Sequence, residues 1–260
     1  MPEPGSLSIL DVKGLNVYYG SFQAVNNVGF YVQPGEIFGL LGPNGAGKTS
    51  TLSAVEGLLK PHSGEITVAG FNVSKQPLHA KANMGVQLQA NSFQPELKIT
   101  EIIQLFAGIY GVPLSSQRLN SILQDIKLED AASKKFGQLS GGQQQRVSLV
   151  IATIHEPILV MLDEPTSGLD PQSRRQLWDR IEAIRAKGHA VLLTTHSMEE
   201  AESVCDRIAI IDHGKVIATN TPEALIELHK NDPEVIAASR KGKITLEDVF
   251  IGLTGKTVRA

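Results

Sequence analysis

The sequence predicts an α/β fold: a mostly parallel sheet with flanking helices, an N-terminal antiparallel β subdomain, and an α-helical subdomain inserted into the core. Three observations predict it. Short apolar runs alternate with helical patterns through the second half, a glycine-rich loop joins a strand to a helix after residue 41, and the apolar period lengthens beyond about residue 91.

Residues 7–38 alternate in polarity, with Leu10 and Val12, then Val28, Phe30 and Val32, punctuated by Gly14, Gly20 and the Pro34-Gly35 turn. Short strands are expected there. Glu36 to Leu41 is an apolar strand leading into the glycine loop, and Lys48 to Leu59 places Leu52, Val55 and Leu59 on one helical face. A further strand is expected near Glu65 to Ala69. From Asn91 to Ala152 the period becomes helical, through Ile102, Leu105, Phe106 and Ile109, then Leu119, Ile122, Leu123 and Ile126. Strands return at Ile158 to Leu162, Ala190 to Thr195 and Ile208 to Ile211, separated by helices around Leu177 to Arg185 and Met198 to Val204. Residues 1–222 therefore form the main domain, with the helical part inserted, and 223–260 a short, mixed tail. No repeat or low-complexity tract is present.

A chain of 260 residues can bury one sizeable core, and 42% apolar with 20% charged residues excludes a disordered or fibrous protein. A net charge of −3 with no long basic run argues against nucleic acid, and the cluster RKGK at Arg240 to Lys243 reads as a solvated turn. Cys205 stands alone, so neither an internal disulfide framework nor a cysteine-rich zinc site is expected. The N-terminus carries no secretion signal, and the most apolar region is cut by His155, Glu156 and Pro157 before reaching the ~18 residues of a spanning helix. A protein inside the cell is expected, with any membrane role borrowed from a partner.

The chemistry starts at Gly42-Pro43-Asn44-Gly45-Ala46-Gly47-Lys48-Thr49, which fits G-x-x-x-x-G-K-T between a strand and a helix. Glycines let consecutive N–H groups turn inward as an anion nest, Lys48 adds charge for the β- and γ-phosphates, and the Thr49 hydroxyl suits Mg²⁺. Asp163 and Glu164 close the apolar run ILVML, at the strand end where α/β sheets bind ligands. Asp163 is expected to hold Mg²⁺ through water. Glu164, facing the other way, is expected beside the attacking water as general base. His196 ends the strand AVLLTT on the same sheet edge, within reach of a γ-phosphate, although a histidine at a strand end is also an ordinary structural residue. Gln89 precedes the helical insert, where an amide would touch Mg²⁺ or the water, or lie on the surface. A second anion cradle is expected at LSGGQQQR, where Ser140, Gly141, Gly142 and Gln143 open a helix whose first-turn N–H groups carry partial positive charge. One nucleotide cannot fill both.

With GPNGAGKTS, LSGGQQQR, ILVMLDEP, SGLD and TTH in this order, the chain resembles the ATP-binding subunit of an ABC transporter from Leu10 to roughly Pro222. LSGGQ is the specific part, since phosphate loops occur in many unrelated proteins. The resemblance implies a P-loop NTPase core in which Gly42 to Ser50 is Walker A, Gln89 the Q-loop glutamine and Ser140 to Gln143 the signature. It implies Asp163 as the Walker B aspartate, Glu164 as catalytic glutamate, Ser167 to Asp170 as D-loop and His196 as switch histidine. Tyr19 stands where an aromatic stacks on adenine, with Tyr18 as the neighbouring alternative.

The same resemblance implies ATP and Mg²⁺ as substrate and cofactor, and a second ATPase subunit paired head to tail. Each signature then faces the nucleotide of the other subunit, which answers the question of the second cradle. A homodimer is the economical form; a similar heteromeric mate also serves. A separate transmembrane permease subunit would hold the chain at the cytoplasmic face of the membrane, contacted through the region after Gln89, NSFQPELKITEII. The tail TLEDVFIGLTG, Thr245 to Gly255, resembles the ending of ATPases serving ABC-2-type exporters, though Leu246, Val249 and Phe250 also read as an amphipathic packing face. An importer ATPase and a soluble ABC ATPase acting as a scaffold or clamp are the alternatives.

Overall fold

A computed structural model describes residues 8–87, 93–239 and 242–255. Strands β1 (Leu10–Tyr19), β2 (Phe22–Val32) and β3 (Ile37–Leu41) lead to helix α1 (Lys48–Val55), followed by β4 (Ser63–Val68), β5 (Phe71–Asn72), α2 (Pro77–Ala82) and β6 (Met84–Val86). Helices α3 (Ile99–Ile109), α4 (Ser116–Asp125) and α5 (Gly141–Thr153) precede β7 (Leu159–Asp163), α6 (Pro171–Ala186), β8 (Ala190–Thr195) and α7 (Met198–Val204). Strands β9 (Arg207–Asp212) and β10 (Lys215–Asn220) and helices α8 (Pro222–His229), α9 (Pro233–Ala238) and α10 (Leu246–Thr254) complete the described chain.

The strands form two sheets. One is antiparallel, in the order β2-β1-β4-β5, and its register pairs Leu10 with Val32 and Val12 with Phe30. The other runs β10-β9-β3-β8-β7-β6, parallel except for the β10–β9 pair. All five residues of β3 are buried, as expected of a strand covered on both faces. Phe38 and Leu40 face the core shared with the antiparallel sheet, where Phe38 stacks on Phe30, while Ile37 and Leu41 face the core formed with α6 and α7. That placement puts the loop after β3 at the sheet's centre, between the ends of β8 and β9.

The helical insert has a hydrophobic cluster of its own, including Ile102, Ile103, Leu119 and Leu123. Helix α5 joins it to the sheet: Val147 and Ile151 belong to the insert's cluster, whereas Leu149 packs with Val160 and Leu177. The expected starting point of this insert, Asn91, lies outside the described residues, as does Arg240 of the basic cluster.

Two expectations shift. The helix predicted over Lys48 to Leu59 ends at Val55, because Gly57 takes φ 67° and closes the turn. The tail expected to be mixed is predominantly helical, and in α10 Leu246, Val249 and Phe250 are buried, which agrees with the packing-face reading of that segment.

Candidate active site

The loop from Gly42 to Gly47 connects β3 to α1, and Gly45 and Gly47 both take positive φ, 81° and 102°. Gly47 has a second constraint: a Cβ there would lie 2.5 Å from the carbonyl oxygen of Ala24. Only glycine meets both demands. Lys48 reaches back over the loop, and its Nζ donates to the carbonyls of Gly42 (2.8 Å) and Pro43 (3.2 Å). Burial pulls the Lys48 ammonium below the usual lysine range, opposed by the negative charges of Glu164 and Asp163. Helix α1 has Gly47 at its N-cap position and no side-chain cap, so that residue leaves the first-turn N–H groups facing the loop uncapped. Such an uncapped helix start behind a nest of glycines fits a phosphate chain.

Asp163 and Glu164 emerge from β7 beside this loop. The Thr49 hydroxyl donates to Asp163 Oδ2 (3.2 Å), which joins the two residues expected to share Mg²⁺. The pair suits that ion, since Mg²⁺ takes oxygen ligands and usually completes its shell with water and substrate phosphates. Thr49 and Asp163 supply two oxygen donors, and phosphate oxygens and water would complete the shell. Glu164 is past the strand, at φ 45°. Glu164 thus leaves the strand in a left-handed backbone turn, and such a turn in a non-glycine residue is a strained feature typical of functional sites. Glu164 Oε1 lies 3.5 Å from Lys48 Nζ, and its Oε2 lies 3.2 Å from His196 Nδ1, at an angle that makes no hydrogen bond.

Tyr19 is exposed on the β1–β2 hairpin, and its hydroxyl lies 3.4 Å from Ser50 Oγ on α1. Tyr18 instead meets the His62 ring edge-on. Of the two aromatics, Tyr19 is the one joined to the phosphate-loop helix. Gln89 lies outside the described residues.

The start of α5 is capped by its own side chains: Ser140 Oγ accepts from the Gln143 N–H (3.3 Å) and Gln143 Oε1 accepts from the Ser140 N–H (2.9 Å), a reciprocal capping box. The cause is the S-x-x-Q spacing itself. Gly141 and Gly142 retain the remaining first-turn donors, and Gly142 packs so closely on α6 that a Cβ would lie 2.4 Å from Ser173 Oγ. Gln145 Nε2 donates to the Pro165 carbonyl (2.7 Å), two residues before the expected D-loop, Ser167 to Asp170, whose last residue caps α6.

Several residues of this neighbourhood were not anticipated. Thr194 stands opposite Asp163 in the sheet register; its hydroxyl donates to Asp163 Oδ1 and accepts from the Glu164 N–H (2.9 Å). The available signal was the pair of hydroxyls, Thr194 and Thr195, that ends the apolar run of β8. Burial pushes the Glu56 carboxyl up to about 7, assisted by the Asp163 charge and opposed by Lys81. A cleft of about 530 Å³ lies beside Glu164 and His196, lined also by Thr166, Arg174, Glu200 and Glu247.

Comparison with known proteins agrees with this geometry. The family described as "ABC transporter" matches residues 25–167. The Nod factor export ATP-binding protein I of Burkholderia pseudomallei (strain K96243) is 41% identical, over 96% of this chain and 98% of that protein. The protein of the same name from Burkholderia orbicola (strain AU 1054) is 35% identical, over 98% of this chain and 99% of that one. Among solved structures, an ATP binding subunit of an ABC transporter superposes with a TM-score of 0.82 at 31% identity, covering 95% of this chain and 100% of that one. A dimeric bacterial ABC transporter cassette gives 0.73 at 26% identity, covering 82% and 98%. With phosphate loop, signature and Walker B carboxylates on one such fold, the chain belongs to the ABC transporter family, as a nucleotide-binding ATPase subunit.

Proposed function

We propose that this subunit hydrolyses Mg·ATP at sites shared between two copies of the chain, paired head to tail, and that the cycle drives export through a separate membrane permease. The observation that carries the chemistry is the position of Glu164, between Lys48 at 3.5 Å and His196 at 3.2 Å, next to the Asp163–Thr49 pair. In this reading Gly42 to Ser50 hold the triphosphate and Lys48 balances charge on the γ-phosphoryl group. Glu164 accepts the proton of the attacking water, and His196 orients the γ-phosphate. Thr49 and Asp163 would hold Mg²⁺, which would supply charge neutralisation at the phosphate oxygens; the part for Gln89, outside the described residues, rests on the resemblance alone. Tyr19 stacks on adenine.

Head-to-tail pairing is supported by the grouping of the contacts. Ser140 and Gln143 bond to each other, and Gly142 packs on Ser173, so the remaining first-turn donors of α5 and the free lone pair of Ser140 serve a phosphate brought by a second copy. Export is supported by the relatives named for Nod factor export, whose full length this chain spans. Association with the cytoplasmic face through the permease follows from the same reading, and among the described residues no helix is long and apolar enough to cross a membrane. Residues 1–222 would form the ATPase domain and 223–260 an appended segment. The test is kinetic and hydrodynamic together. Glu164→Gln should bind ATP normally, accumulate as a dimer in ATP and turn over roughly 10²-fold more slowly or worse. Ser140→Arg should bind ATP as a monomer and form no ATP-dependent dimer in sedimentation velocity. Wild-type turnover by a demonstrably monomeric preparation would contradict the shared site.

A further inference from the structure

Helix α7 places a carboxylate where the reaction described above does not use one. Glu200 is only 7% exposed and occupies the first turn of the helix, its N–H donating to Ser197 Oγ (3.3 Å). Its Oε2 accepts two hydroxyl hydrogen bonds, from Thr166 (2.8 Å) and Thr195 (3.2 Å), both themselves buried. Thr166 is two residues beyond Glu164, and Thr195 immediately precedes His196. Thr195 Oγ1 also accepts from the Ser197 N–H (3.0 Å), so the backbone on both sides of His196 is held. The other carboxylate oxygen lies 3.4 Å from Arg174 Nε of α6. One oxygen atom thus fastens the loop after β7 to the end of β8, the two segments carrying Glu164 and His196.

We infer that Glu200 is a positioning residue of the ATPase reaction: its buried carboxylate fixes Glu164 and His196 relative to one another through Thr166 and Thr195. The inference rests on the roles proposed above for Glu164 and His196. A carboxylate suits the task because it only accepts, so a single oxygen can take both hydroxyls. Removing it leaves two buried hydroxyls without an acceptor and frees the two segments to drift apart, and displacements of about 1 Å at such distances cost up to roughly 10²-fold in rate.

Steady-state ATPase kinetics of the full chain, with ATP binding and melting temperature measured alongside, tests this. Glu200→Ala is expected to lower kcat between about 10-fold and 100-fold with ATP affinity little changed. Glu200→Gln, whose amide oxygen still accepts from both threonines, should recover most of that loss. In a Glu164→Gln background Glu200→Ala should have little further effect, since the group it positions is already disabled. Should Glu200→Ala not fold, Thr166→Val and Thr195→Val remove the same two bonds from the other side and are expected to lower kcat likewise. Wild-type kcat in Glu200→Ala or in both threonine variants, no recovery by Gln, or a loss that adds in full to that of Glu164→Gln would each overturn the role. If Glu164→Gln itself turns over at wild-type rate, the reading of Glu164 fails first and takes this inference with it; an inactive Glu164→Gln beside a fully active Glu200→Ala removes Glu200 alone.

Discussion

Thr194 sits directly across the sheet from Asp163, and its one hydroxyl serves both carboxylate residues at the end of β7, donating to Asp163 and accepting from the backbone of Glu164. Thr194 is completely buried. Thr194→Val keeps the shape and β-propensity of the position but withdraws both bonds, leaving the Glu164 N–H without its partner. A loss of about 1–3 kcal/mol in stability is expected, since the penalty is that of an unsatisfied buried donor. Asp163 would also lose the bond that orients it, so half-saturation of the ATPase should require more Mg²⁺. Urea denaturation and a Mg²⁺ titration of turnover check the two halves separately; unchanged values in both would mean that Thr194 merely fills space.

Gly47 offers a sharper contrast. Its φ of 102° lies where side chains are strained, and the Ala24 carbonyl oxygen blocks the place a Cβ would take. Gly47→Ala should therefore push the loop away from β2, with nucleotide affinity falling more than tenfold and a drop in melting temperature. Gly45, at φ 81°, has nothing within 4 Å of its would-be Cβ, so Gly45→Ala should be the milder change for folding. Fluorescent-nucleotide titrations and thermal melts of the two variants side by side decide it; equal effects would remove the Ala24 contact as the cause.

The contrast between those two positions and Thr194 also marks what could be read from sequence. Gly42 to Thr49 and the Asp163-Glu164 pair were legible because their spacing is local: a loop, a lysine and a strand end are fixed within eight residues. Thr194 and Glu200 were not, because each acquires its meaning from a pairing that the sequence does not contain. Thr194 needs the β7–β8 register, and Glu200 needs the loop after β7 brought over the start of α7. The short strands β5 and β6, of two and three residues, offer no period to detect. At Ser140 the signal is local but double: the S-x-x-Q spacing encodes a capping box around two glycines that also read as an anion cradle.

His155 joins the helical insert to the sheet. Its Nε2–H donates to the Met84 carbonyl at the start of β6 (2.9 Å), Tyr110 after α3 stacks on its ring at 3.9 Å, and its buried Nδ1 has no hydrogen-bond partner among the described residues. Burial holds this imidazole below the usual histidine range, with the Met84 bond opposing. A depressed folded-state pKa means that the neutral form is favoured by folding. Its stability contribution is therefore present above the unfolded value near 6.5 and is lost as pH falls through the folded value. His155→Asn keeps a donor but cannot titrate. The stability advantage of wild type over this variant should shrink as pH drops from about 7.5 to about 5. Paired thermal melts across that range test it, and a pH-independent gap would mean that His155 is not the titrating group.

Phe250 tests whether the C-terminal segment is part of the ATPase fold. Helix α10 is closed at both ends by its own sequence, with a Thr245–Asp248 capping box and Gly255 in the left-handed conformation. Between them Leu246, Val249 and Phe250 are buried, and Phe250 joins the cluster containing Leu193, Ile210 and Ala201 beneath β8 and α7. Phe250→Ala removes an aromatic side chain from a site with 1% exposure, and about 3–5 kcal/mol of stability should go with it. A peripheral tail would cost far less, below about 1 kcal/mol. Because the same cluster supports β8, the strand that immediately precedes His196, the variant should also unfold in one transition rather than two. A separate early transition in the melt, with the main one unmoved, would show instead that α10 folds on its own account and that the core beneath His196 does not depend on it.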